Sequence, residues 1–173
     1  TYQALCIDGR INAEGTKDLK QITIKDCVQF VVDNINSAQL ENVILVAHSG
    51  SGCLLELIAD RIKDKVKGLI FISANIPPQG KRTIDVLPFF LKWMNYFFIK
   101  LAPGGFHLSS KQREKMIRRY FCNCCSGEII EFVLKHPEKI EPPAVATEKI
   151  YRPELKNLPK IFIKLSKDNT ATL

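Results

Sequence analysis

Residues 42–52, Asn-Val-Ile-Leu-Val-Ala-His-Ser-Gly-Ser-Gly, combine a hydroxyl with the spacing that could activate it. A run of strand-forming residues, 43–46, stops at Ala47, and a helical pattern rich in Leu and Ile runs from Cys53 to Ile62. A serine on so sharp a strand-to-helix turn needs small residues two positions before and two after it, because larger side chains would collide across the turn. Ala47 and Ser51 meet that need around Ser49, as variants of the Gly-x-Ser-x-Gly pattern. The turn lifts the hydroxyl clear of the sheet and aims the first helical N–H groups, that of Gly50 foremost, at one spot. Those donors and the positive helix end favour a developing oxyanion. The chemistry implied is acyl transfer, with Ser49 as nucleophile. The turn lacks the Gly-Lys-Ser/Thr ending of a phosphate loop and the Gly-x-Gly-x-x-Gly spacing of a dinucleotide site, so those readings are weak. A purely structural turn is the remaining alternative.

Such a turn needs a sheet to hold it. Residues 2–7, 43–47, 68–73 and 160–165 read as buried parallel strands. Between the first two, Thr23 with Asp26 three residues later opens a helix whose apolar face is Val28, Val31, Val32 and Ile35. The helix after Ser49 puts Leu55, Ile58 and Ile62 on one stripe. This βαβαβ rhythm predicts a parallel sheet with helices on both faces.

Beyond Pro77-Pro78 the rhythm breaks, and no strand pattern returns before Pro159. Phe90, Leu91, Met94, Phe97, Phe98 and Leu101 recur at helical spacing across 88–101. That helix is too short and too often interrupted by polar residues to span a membrane, and packing on the sheet or walling an apolar pocket are its two readings. Ser109 and Gln112 form a capping-box pattern for a second helix through 116–121, and Ser126 is placed to cap a third through 129–134.

The chain resembles the α/β-hydrolases, and most of all their small esterase and hydroxynitrile-lyase-like branch with a helical cap. Residues 2–8, 42–62, 68–73 and 158–168 carry the resemblance. It implies a partial α/β-hydrolase fold: a mostly parallel sheet with flanking helices and a helical cap insertion. Residues 1–76 would be core, 77–157 the cap, and 158–173 the last core strand and acid loop. Asp168, just after the last apolar run, stands where that family places the acid that orients the base. The alternative is that an Asp in Lys-Asp-Asn is an ordinary turn residue.

In the family's order a His base follows the acid, and none follows Asp168. His48 lies inside the turn, His107 in a Gly-rich segment and His136 before Pro137, and none is assigned as base. The second oxyanion donor has no counterpart before Tyr2 either. The sequence is therefore expected to be an internal piece of a longer enzyme, poorly stable and inactive on esters by itself. The resemblance implies a carboxylesterase-like serine hydrolase that takes a small apolar ester. The alternatives are a lyase using the same groups as an acid–base pair, and a non-catalytic small-molecule-binding protein on the same scaffold.

Composition bounds the rest. The 173 residues are 46% apolar and 25% charged, as in a soluble globular domain. Six cysteines without a regular framework read as reduced thiols of a cytoplasmic protein. Cys122-Asn-Cys-Cys125 is their one cluster, and with no His at ligand spacing it is not read as a metal site. The net charge of +7 is concentrated in Lys111, Arg113, Lys115, Arg118 and Arg119, read as a solvated helix face. No cofactor, nucleic-acid partner or membrane insertion is expected.

Overall fold

The computed structural model describes residues 4–7, 19–87, 89, 92, 93, 96, 97, 109–136 and 142–168. Its frame is a three-stranded parallel sheet in the order β1 (Val43–His48), β2 (Val66–Ile72), β3 (Lys160–Ile163). In register, Leu45 faces Leu69 and Val46 faces Ile70, while Phe71 pairs with Phe162.

Helix α1 (Ile24–Ser37) begins as its sequence predicts. The Thr23 hydroxyl accepts from the Asp26 N–H at 3.2 Å, and the Asp26 carboxylate accepts from the Thr23 N–H at 2.9 Å. Two N–H donors at the helix start are thereby satisfied. Its buried stripe of Ile24, Cys27, Val28, Val32 and Ile35 follows the expected periodicity. Helix α2 (Gly52–Arg61) packs against α1 and against the inner face of β1 and β2. Leu45, Ala47, Leu69 and Phe71 point into that layer and complete the core with Cys53, Leu54, Leu55 and Ile58.

Two expectations fail. Residues 4–7 join no ladder: Ala4, Leu5 and Cys6 are exposed, and Ile7 alone packs on the core. Among the described residues no strand lies on the open edge of β1, and residues 2 and 3 of the expected run lie outside the described residues. Among the described residues the helices also cover one face only. On the other, Ile44 is 50% exposed, Val46 56%, Ile161 56% and Ile163 43%. These residues share a face because side chains alternate along each strand.

The later helices are α3 (Ser110–Met116), α4 (Gly127–Lys135) and α5 (Pro143–Thr147). The Ser109–Gln112 capping box forms. Ile117–Phe121 then continues α3 as a π-helical segment, closed by the Cys122 N–H on the Ile117 carbonyl at 2.8 Å. Ser126 stands at the N-cap of α4, but its hydroxyl makes no cap bond. Helix α5, short and Pro-led, carries no periodicity long enough to be read from sequence. Arg113 is more than a solvated charge, since its guanidinium donates to the Leu134 and Val133 carbonyls at 2.8 and 3.1 Å. It thus satisfies orphan acceptors at the end of α4.

Of the helix expected over 88–101, Phe89, Lys92, Trp93, Tyr96 and Phe97 are described, and they are helical. Phe89, Trp93 and Phe97 are exposed, so packing on the sheet is not observed at these positions. Phe90, Leu91, Met94, Phe98 and Leu101 lie outside the described residues, as does His107.

Candidate active site

Ser49 stands at the break between β1 and α2 with φ of 52°. A non-glycine residue pays strain in this left-handed region, and such outliers cluster at functional sites. The residue is followed by a single 3-10 turn, Ser49–Ser51, from which α2 continues directly. Gly50 lies within that turn, at the helix start, where N–H groups lack intrahelical acceptors. Ala47 is buried beneath the turn, and Ser51 is exposed.

The turn is held from β2. The Asn75 N–H donates to the Ser49 carbonyl at 2.9 Å. Gly52 lies so close to this segment that an added Cβ would stand 2.6 Å from the Ala74 Cβ and 3.1 Å from the Asn75 carbonyl. Only glycine permits that approach. Sequence reading had weighed the small residues around Ser49 but not the contact that makes Gly52 necessary.

β2 ends in the same way as β1. Ser73 also has a positive φ, 40°, and is buried. Its N–H donates to the Ile163 carbonyl at 2.8 Å, extending the ladder to β3. Its hydroxyl donates to the Asp168 carboxylate. Ser73 was not singled out from sequence, although it ends an apolar run as Ser49 does. Asp168 is half-buried on a turn closed by its own N–H on the Leu165 carbonyl at 3.3 Å. The Asn123 side-chain amide donates to the Lys167 carbonyl at 2.8 Å, bringing the segment after α3 onto the turn that carries Asp168.

Because the strands are parallel, Ser49, Ser73 and Asp168 all lie at the carboxyl edge of the sheet, where open α/β sheets place their ligand sites. The histidines do not join them. His48 is exposed on the uncovered face, and His136 Nδ1 lies 2.8 Å from the Phe132 carbonyl at the end of α4. Among the described residues no histidine is hydrogen-bonded to the Ser49 hydroxyl, and no cluster of three or more His, Cys, Asp or Glu could hold a metal ion.

One further concavity, of about 660 Å³, lies apart from this edge, between Gly80–Val86 residues and Thr147 and Lys149. In its wall, hydrogen bonds from Arg82 and Lys92 hold the Asp85 carboxyl well below the usual carboxylate range. Neither Ser49, Gly50 nor Asp168 lines it.

The parallel sheet, its flanking helices and the strand-to-helix turn at Ser49 together have the α/β-hydrolase fold, present in part. No protein-family model matches the chain. It is similar to a carbendazim hydrolyzing esterase of Nocardioides sp. (strain SG-4G), with 32% identity over 92 residues, or 53% of this chain and 36% of that protein. Among solved structures it is similar to an extracellular α/β-hydrolase from a Paenibacillus species, described as sharing structural and functional homology with tobacco salicylic acid binding protein 2. That likeness has a TM-score of 0.67 and 22% identity, covering 87% of this chain and 61% of the other. Polyneuridine aldehyde esterase matches with a TM-score of 0.55 and 18% identity over 88% of this chain and 64% of its own. The chain thus spans less than two thirds of the length of each of these proteins.

Proposed function

We propose that the whole protein is a carboxylesterase-like serine hydrolase, with Ser49 as nucleophile, the Gly50 N–H as one oxyanion donor and Asp168 as the acid that orients the base. The observation that carries this reading is the positive φ of Ser49 at the head of α2, at the same sheet edge as Asp168. In the reaction the Ser49 oxygen attacks the ester carbonyl while a histidine takes its proton. The Gly50 N–H then meets the oxyanion of the tetrahedral adduct. Asp168, already accepting from Ser73, would accept from the histidine's other ring nitrogen. No described residue is assigned as that histidine.

Residues 77–157 act in this reading as a cap that selects a small apolar ester. Six free cysteines favour a reducing, cytoplasmic setting, although one structural neighbour is an extracellular enzyme. Among the described residues no helix is long and apolar enough to cross a membrane. Residues 1–173 alone are expected to lack ester turnover, and steady hydrolysis of a nitrophenyl ester together with a cooperative melt would sink that expectation.

The decisive experiment is labelling by a fluorophosphonate, with the protein expressed at the length of its relatives. Labelling is expected, and its loss in Ser49→Ala. Labelling that persists in Ser49→Ala overturns the nucleophile assignment. No labelling of the unaltered protein favours a non-catalytic binding protein on this scaffold.

A further inference from the structure

Cys122 and Cys125 stand at Cys-x-x-Cys spacing where the π-helical segment ends. The Cys125 N–H donates to the Cys122 carbonyl at 3.1 Å, closing a four-residue turn between them. Such a turn holds its first and last Cα atoms within about 7 Å, and disulfides bridge Cα separations of about 4.4–6.8 Å. Cys122 is buried with Ile117 and Ile130, whereas Cys125 is half-buried at the rim of that cluster. Cys124 is exposed between them.

We propose that Cys122 and Cys125 are a redox modification site, a dithiol that closes to an intramolecular disulfide when it meets a small disulfide such as oxidised glutathione. The half-buried Cys125 reacts first: its thiolate attacks one sulfur of the small disulfide, forming a mixed disulfide and releasing one glutathione thiolate. The Cys122 thiolate then attacks the Cys125 sulfur, forming the intramolecular bond and releasing the second glutathione. Both cysteine protons end on the two released thiolates, and the protein gives up the two electrons that the glutathione disulfide takes. Burial, and then the neighbouring Cys125 thiol, push the Cys122 thiol up. The second step therefore accelerates into a more alkaline range than an ordinary thiol requires. Asn123, inside the turn, donates to the Lys167 carbonyl beside Asp168, so one hydrogen bond joins the modified turn to the Asp168 segment.

The test is to incubate the reduced protein, expressed at the length of its relatives, with glutathione at graded oxidised-to-reduced ratios, block the remaining thiols, and sequence the tryptic peptide 120–135 by mass spectrometry. The expected product is a Cys122–Cys125 bond with the blocking group on Cys124, reversed by excess thiol. The same bond is expected in Cys124→Ser, whose altered side chain is exposed and leaves the buried cluster untouched. In Cys125→Ser the bond is absent. Mixed glutathione adducts without a bridge, a bridge through Cys124, or no oxidation at ratios that oxidise a Cys-x-x-Cys peptide would each overturn the proposal.

Discussion

Among the described residues, the two faces of the sheet stand in sharp contrast. On one face Leu45, Ala47, Leu69 and Phe71 lie under α1 and α2 in a closed core. On the other, Ile44, Val46, Ile161 and Ile163 are equally apolar and stand exposed. Parallel sheets are ordinarily covered on both sides, and their strands read as continuous apolar runs for that reason. The strands here carry a sequence suited to two covers, while the described residues supply one. The lesson is that an apolar run reports what a strand was built to meet, and a covering layer must be established separately.

Neighbouring residues of one strand give the sharpest way to break this comparison. Leu45, 8% exposed, and Val46 lie on opposite faces. In the protein expressed at the length of its relatives, Leu45→Lys should abolish cooperative unfolding or lower stability by about 4 kcal/mol or more, because it places an unpaired charge in the core. Leu69→Ala should cost about 2–5 kcal/mol by urea unfolding, the usual range for a truncated core leucine. Gly52→Ala should cost about 1–3 kcal/mol through forced repacking against Ala74. In the full-length protein the same change should also weaken fluorophosphonate labelling at Ser49. Val46→Lys should change stability by less than about 0.5 kcal/mol and improve solubility. If Val46→Lys costs as much as Leu45→Lys, the second face is covered in solution and the contrast collapses.

Much of the architecture was legible because it rests on local rules. The Thr23–Asp26 and Ser109–Gln112 boxes need only a spacing of three, and both form. Of the four apolar runs read as strands, three form strands among the described residues. The first failed because strand formation depends on a partner, which no run of residues can report about itself. At the candidate site, Ser49 was legible because small residues must flank so sharp a turn. Ser73, Asn123 and the need for glycine at position 52 were not, since each acts through a contact between segments distant in sequence. Arg113 escaped for the same reason: its acceptors lie on a different helix.

Glu56 of α2 is buried, and its carboxylate pairs with Arg152 at 3.1 Å and Lys160 at 2.5 Å. Lys160 opens β3, a strand of four residues that are all exposed. Buried ion pairs add little net stability, but they penalise the wrong arrangement heavily. Moving β3 by one residue along β2 would turn Lys160 to the far face and leave Glu56 without one of its two partners. The pair therefore acts as an index mark for the strand. It fixes which residue follows the last ladder bond, and so how far along the sheet edge Asp168 emerges relative to Ser49.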